Sequence, residues 1–455
     1  MSPNGEEGMP PGLDIDLTTG SIPRHILRMT PPMAVAFFAM MAFNLVDTWF
    51  VSRLGTIPLA AMGFTFPVIM IIHSLAMGLG LGTSSCVSRA IGEGSRDRVR
   101  HLATYSLVLA FLSFLLLSLI AWGLMPKIMK ILGASPETEP LATQYMRILL
   151  PFVPVAALPM IGNNAIRATG DTLRPSIIMS AAAVMNVALD PIFIFGWGPV
   201  PAMGIAGAAL ATGLSRLFSF AWALWLMHNR CRLLTAQWTG FTELFRAWGA
   251  VLHVAVPAAA TNVLMPLTMG VITRFIAGFG EYAVAATAAG QRVEHFAYLV
   301  PIAMGTVLIP IIGQNWGAER LDRVREAWIK TNAYAILYSI GILILFIPAA
   351  HPVAACFSRD PQIVGLTRFY LWIKLTGAIL IHSAIHTGFA FNAIGKPFHA
   401  SLLTIIRLLC LVLPLAWLGL RLFGILGIYS GMATAHILSG IVALCWFGRT
   451  LRKAA

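Results

Sequence analysis

The sequence predicts an all-α integral membrane protein, with twelve transmembrane helices in two pseudo-symmetric six-helix bundles. Three observations lead there. Of its 455 residues, 58% are hydrophobic and only 11% charged, with a mean hydropathy of +0.80, whereas a soluble chain carries about 25% charged residues. Runs of roughly 20 apolar residues, long enough to cross a hydrocarbon core of about 30 Å, recur from Thr30 to Phe447. The second half of the chain also repeats the first. Without water to satisfy backbone amides, each span must be a helix or a barrel strand, and continuous runs of this length select helices.

Taken in order, the apolar runs predict helices at 30–52, 60–88, 99–124, 142–166, 173–196, 204–228, 250–276, 284–314, 328–350, 366–392, 398–420 and 425–448. Residues 1–29 form a cytoplasmic leader and 30–228 a first lobe of six helices. The longest polar connection, 229–248, is expected as a cytoplasmic linker or hinge, followed by a second lobe at 249–448 and a tail at 449–455. Internal repetition supports the division. Gly92–Arg100 (GEGSRDRVR) after helix 2 is matched by Gly317–Arg325 (GAERLDRVR) after helix 8, an offset of 225 residues. The same offset relates Ala168–Gly170 to Ala393–Gly395, and Leu54–Gly55 to Phe279–Gly280. Six helices per repeat is an even number, so both repeats enter the membrane the same way. Such repeats are related by an axis along the membrane normal, with substrate expected between the bundles near the midplane.

The net charge of +13 is a topology signal rather than a nucleic-acid footprint. About 19 of the 31 Lys and Arg fall in the leader, the even-numbered loops and the tail, placing both termini in the cytoplasm by the positive-inside rule. Nucleic acid is thereby set aside as a partner. Residues 1–29 lack the apolar core and cleavage site of a secretory signal, so the first membrane helix is expected to direct insertion. The five cysteines (86, 231, 356, 410 and 445) are scattered without C-x-x-C spacing, which argues against disulfides or a cysteine metal site.

Of 18 acidic residues, only Asp47, Asp190 and Glu294 fall inside predicted helices away from their ends. A carboxylate at the bilayer centre costs at least about 2.5–3.5 kcal/mol, so each needs a partner, a cavity or a function. Asn44 stands three residues before Asp47 and Asn186 four residues before Asp190, each predicting an amide on the carboxylate's helix face. Pro191 follows Asp190 and deprives the Val187 carbonyl of its amide donor, baring a potential cation ligand. Two carboxylates with amide and carbonyl oxygens suit sodium; close together, they would also share protons. The plainer reading is that each Asp bonds a neighbouring helix. Glu294 stands between Arg292 and His295, so internal pairing as a structural ion competes with function there.

His382 and His386 share a helix face at metal-ligand spacing, but no third ligand is evident and no metal is expected. Lys374 and Arg407 are intramembrane bases that suit either a pore lining or a role as buried packing partners. No combination of nucleophile, base and orienting group points to an enzyme.

Several linked motifs resemble the multidrug and toxic compound extrusion (MATE) family. They are Leu17–Leu27 (LTTGSIPRHIL) leading to Pro32 and Met33, Leu45–Gly55 (LVDTWFVSRLG), Ala165–Asp171 (AIRATGD), Leu189–Gly196 (LDPIFIFG), Gly204–Thr212 (GIAGAALAT) and Gly313–Ala318 (GQNWGA). The resemblance implies a multi-pass antiporter of the bacterial inner membrane, with two six-helix lobes around a central cleft. It would export amphipathic organic cations in exchange for protons or sodium. It implies that Asp47, Asn186, Asp190 and Thr212 form the cation site of the first lobe, and that Pro32 bends helix 1 during substrate release. Asn44 and Glu294 are secondary candidates. No cofactor beyond the coupling ion is expected; membrane lipid surrounds the chain, which would act as a monomer. One departure stands out: Pro257 is followed by Ala258, Ala259, Ala260, Thr261 and Asn262, where a subgroup of the family carries an acid. This favours protons over sodium.

Two other transporter classes compete. A major facilitator fits Gly92–Arg100 loosely but leaves the AIRATGD and Asp190-Pro191 motifs unexplained. A lipid-linked saccharide flippase would rely on basic cleft residues such as Arg147, Lys374 and Arg407.

Overall fold

The computed structural model describes residues 16–454, so Met1–Ile15 of the expected leader and Ala455 of the tail lie outside it. Ten long helices come first: α1 (Ile22–Ser52), α2 (Thr56–Gly92), α3 (Arg96–Ile131), α4 (Thr138–Ala168), α5 (Leu173–Phe195), α6 (Ile205–Arg230), α7 (Phe241–Ala277), α8 (Glu281–Gly317), α9 (Leu321–Ala355) and α10 (Pro361–Ala393). The segment Pro397–Arg452 is helical over 56 residues, about 84 Å at 1.5 Å per residue and far longer than one crossing needs. It breaks at Phe423 and Gly424, which leave helical φ/ψ, and so supplies two spans, α11 (397–422) and α12 (425–452). Among the described residues no β-strand forms; Trp197 and Val200 make one isolated bridge.

Most helices run past the apolar runs that announced them. α1 begins at Ile22 rather than residue 30, because Ile22, Ile26, Met29 and Met33 repeat at helical spacing and are buried. The last turns of the expected leader are therefore helix. α4 is broken where its prolines remove donors: a 3₁₀ turn at Leu150–Phe152 contains Pro151, and new helical starts follow with Pro154 and Pro159 near their N-termini.

The chain forms two compact units. Among the described residues, the first comprises 16–19 and Val35–Ala255; the second comprises Gly20–Ala34 and 256–454. The changeovers fall inside helices, two residues past Pro32 in α1 and immediately before Pro257 in α7. The stretch 229–248 is consequently no free tether. Within the first unit, Arg100 Nε and Nη2 donate to the Leu234 carbonyl (3.2 and 3.0 Å), Thr235 N to Thr104 Oγ1 (3.1 Å), and Trp248 Nε1 to the Tyr105 carbonyl (2.9 Å). Its buried Leu233 and half-buried Leu234 pack on the apolar core of that unit. The polar composition suggested a linker, but these side chains and carbonyls find fixed partners.

The backbone carries the repeat as well. Gly55 and Gly280 have φ of 113° and 101°, Gly170 and Gly395 have 90° and 75°, and Gly94 and Glu319 have 74° and 59°, each pair separated by 225 residues. A non-glycine at positive φ costs about 1–2 kcal/mol, so Glu319 shows how firmly the second turn is held to the geometry of the first.

In the first unit, α5 and α6 form the hairpin that builds the site. Met203 N and Gly204 N donate to the Phe193 and Ile194 carbonyls (2.9 and 3.0 Å), tying the returning chain to the end of α5. Small residues then let the helices touch: Ala206, Gly207, Ala208, Ala209, Ala211 and Gly213 of α6 are buried. In lipid, where apolar burial alone does not drive association, such close backbone contact supplies the packing. A Cβ on Gly207 would collide with the Phe193 carbonyl, and one on Gly213 with the Phe152 ring of α4. Gly207→Ala should therefore prise α6 from α5 and cost about 1–3 kcal/mol of stability. A lowered melting temperature of the purified protein checks this; unchanged melting would show the hairpin to be loosely packed.

Candidate functional site

Running antiparallel to α5 from the Gly207 contact, α6 brings Thr212 beside Asn186. In the amide orientation that satisfies every partner, Asn186 donates to Asp190 Oδ2 at 3.0 Å and accepts from Thr212 N and Oγ1 at 3.1 and 3.3 Å. The i, i+4 spacing within α5 thus works as expected: one amide couples the carboxylate to the neighbouring helix. Asn186 and Asp190 are 1% and 0% exposed, so this bonding takes place away from bulk solvent.

Asp47, on the part of α1 belonging to the same unit, is buried, and its carboxylate and that of Asp190 act electrostatically on one another. Neither forms an ion pair within the described residues, and each keeps one buried oxygen, Oδ1, with no hydrogen-bond partner. Such groups are expensive in a membrane unless neutralised. They are electron-rich, unsatisfied and mutually repulsive, so the arrangement favours the arrival of a proton or a metal cation.

Tyr145 is a component the sequence reading missed. Its buried phenol faces Thr212 and lies in the field of both Asp47 and Asp190. It sits in the first stretch of α4, and nothing in its local sequence sets it apart from the other aromatic residues; only the tertiary packing of α4 on α6 reveals it. Asn44, by contrast, is exposed on α1, and no bond from its amide reaches Asp47. Three residues along a helix is 300°, which leaves the two side chains on adjoining rather than coincident lines. Pro32 is half-buried in α1, beside the changeover between units.

The second unit has no counterpart of this acid pair. Offset by 225, Asp47 and Asp190 correspond to Ile272 and Leu415. It holds instead a buried network on α8, α10 and α12. Glu294 pairs with Lys374 Nζ at 3.5 Å and accepts the Tyr370 hydroxyl, and Lys374 Nζ lies 3.4 Å from His436 Nδ1. The sequence neighbours of Glu294 are not its partners: Arg292 and His295 are exposed, because residues one or two apart project from different sides of a helix. His382 Nδ1 donates to the Ala378 carbonyl at 3.0 Å and His386 Nε2 to the Pro301 carbonyl at 2.8 Å.

Twelve spans, a doubled architecture and a buried acid pair define a polytopic membrane transporter. The MatE family model matches twice, at residues 32–192 and 257–418, and the chain belongs to that family. The two matches begin at Pro32 and Pro257, one repeat length apart. The chain is 34% identical over 431 residues to a protein of Shewanella oneidensis named FAD transporter, covering 95% of each. It is 25% identical over 438 residues to the multidrug export protein MepA of Staphylococcus aureus, covering 92% of each. Among solved structures, the MATE transporter VcmN of Vibrio cholerae in the bent form superposes with a TM-score of 0.91 at 29% identity, covering 96% of this chain and 99% of that one.

Tyr145→Phe keeps the ring and removes the hydroxyl that faces Thr212 and the two carboxylates. Losing one polar contact of about 0.5–1.5 kcal/mol should weaken ion-coupled transport about 2–10-fold at unchanged protein yield. Transport in proteoliposomes measures it, and a wild-type rate would remove Tyr145 from the site.

Proposed function

We propose that this chain is an efflux antiporter of the bacterial inner membrane, with both termini cytoplasmic, which binds its coupling cation at Asp47 and Asp190. The observation that carries the reading is the pair of buried carboxylates, which act electrostatically on one another and have no ion-pair partner among the described residues. Empty of cation, the site resists enclosure; a proton, sodium ion or cationic cargo relieves it, which gives the rule an antiporter needs. Asn186 and Thr212 orient Asp190, and Pro32 lets α1 bend between states. Protons suit the site better than sodium. The Asn186 oxygen is already engaged by Thr212, leaving fewer free oxygens than the several ligands a hard cation takes.

Amphipathic organic cations are the cargo that an acid site favours, and the Staphylococcus aureus relative is named a multidrug export protein. A second cargo, a flavin nucleotide, is favoured by the 34% identical Shewanella oneidensis relative named FAD transporter.

Everted proteoliposomes loaded at acid pH test the coupling. Ethidium or FAD uptake should follow the pH gradient without sodium, and Asp190→Asn should fall to the protein-free background. Uptake driven by sodium alone would change the coupling ion. Uptake by Asp190→Asn at the wild-type rate would overturn the site.

A further inference from the structure

A buried charge in a bilayer protein is answered either by an ion from solution or by the protein itself. In the second unit the protein answers Glu294 with Lys374. Lys374 stands about thirteen residues past the start of α10, roughly 20 Å along the axis, too deep for its ammonium to reach the helix end by snorkelling. The side chain is 2% exposed. Among the described residues its Nζ meets two acceptors, Glu294 Oε1 at 3.5 Å and His436 Nδ1 at 3.4 Å. Tight charge-assisted contacts close to about 2.7–2.9 Å, so the ammonium is seated loosely between a carboxylate and a ring nitrogen.

The acceptors are held by a frame that does not involve Lys374. The Tyr370 hydroxyl donates to Glu294 Oε2, the oxygen that the lysine leaves free. Its ring stands edge-on to Tyr429 of α12 with centroids 5.0 Å apart, and the Tyr429 hydroxyl is bonded to Thr287 Oγ1 of α8 at 2.6 Å. Small residues make room for these groups. A Cβ on Gly290, one turn before Glu294, would run into the Tyr370 ring, and one on Gly377, a turn past Lys374, would come within 2.9 Å of the Ala433 Cα. The Gly377 contact brings α10 against α12, where Lys374 meets His436. Because this frame is fixed by its own bonds, the carboxylate and the imidazole nitrogen keep their places whether or not the ammonium stands between them. That acceptor set matches an ammonium, whose N–H groups satisfy oxygen and nitrogen alike, better than a hard metal cation, which takes oxygen ligands.

We propose that Glu294, Tyr370 and His436 form an ammonium-binding site in the second unit, and that Lys374 is its tethered occupant, standing in for a cation from solution. Lys374 thereby decides which unit exchanges ions: the first leaves its acids open, whereas the second carries its own cation permanently. The site itself is independent of the exporter reading. Its consequence, that the first unit alone exchanges the coupling cation, rests on that reading. The ligand class of the site is a small primary alkylammonium, which takes the place of the Lys374 head once that head is removed.

Thermal melting of the purified full chain tests the site without transport. All forms carry Asp47→Asn and Asp190→Asn, so cation binding in the first unit does not contribute and a failed coupling assay leaves the outcome intact. Lys374→Met, close in volume and uncharged, should lower the melting temperature by about 5 °C or more, because it strands a buried carboxylate. Millimolar methylammonium should restore at least half of that loss, and sodium distinctly less, at an ionic strength held constant with tetraethylammonium, which has no N–H. If the variant is recovered only when methylammonium is present during purification, that dependence of yield is the same result. The parent, with Lys374 in place, should not respond. Lys374→Met combined with Glu294→Gln removes both charges and should melt near the parent and ignore both cations. A Lys374→Met protein that melts like the parent, or that methylammonium restores neither in melting nor in yield, would overturn the proposal. So would a methylammonium response that survives Glu294→Gln, or a double variant as unstable as Lys374→Met, which would trace the defect to packing. Equal restoration by sodium would overturn the ammonium assignment.

Discussion

A charge inside a bilayer must be neutralised, and the residues that violate this rule organise the molecule. The apolar helices meet the requirement trivially, and in the network around Glu294, Lys374 supplies the countercharge. Asp47 and Asp190 do not meet it. They are buried, they repel one another, and their hydrogen-bond capacity is only partly used. The α5–α6 hairpin and the broken α4 hold them in this state through close small-residue contacts and a short polar chain from Asp190 through Asn186 and Thr212 to Tyr145. The stability needed to hold them comes from packing elsewhere, as strained functional groups require.

The duplicated scaffold separates structure from chemistry. Turn geometry is preserved between the halves down to matching positive-φ positions, even where glutamate replaces glycine at 319. Charge is not preserved. Ile272 and Leu415 stand where the second unit would need its own Asp47 and Asp190, while Ile69 and Leu149 stand opposite Glu294 and Lys374. Backbone geometry is constrained by every contact of a turn, whereas a charged side chain needs only a local partner or a ligand. Each half could therefore place its charges independently.

Much of this was legible from residue order. Hydropathy located the spans, one offset revealed the duplication, and the cost of intramembrane acids selected Asp47, Asp190 and Glu294. The pairing of Asn186 with Asp190 followed from helical spacing. What escaped depends on neighbours distant in sequence. Tyr145 enters the site only through the packing of α4 on α6, and Glu294 finds Lys374 80 positions away rather than Arg292 beside it. Asn44 illustrates the limit of the spacing rule: a spacing of four placed Asn186 correctly on α5, whereas a spacing of three leaves Asn44 of α1 exposed. Polar composition made 229–248 read as a linker, because composition does not record that Arg100, Tyr105 and Thr104 wait to bind it.

The central claim is that Asp47 and Asp190 act as one unit in binding the coupling cation. A double-mutant comparison measures it most directly, with proton-coupled efflux recorded for Asp47→Asn, Asp190→Asn and the two together at matched protein density in liposomes. If the carboxylates share the cation, each single change removes the site and the double is little worse than either. If each merely anchors its own helix, the losses add and protein yield falls with them, and the shared site is contradicted.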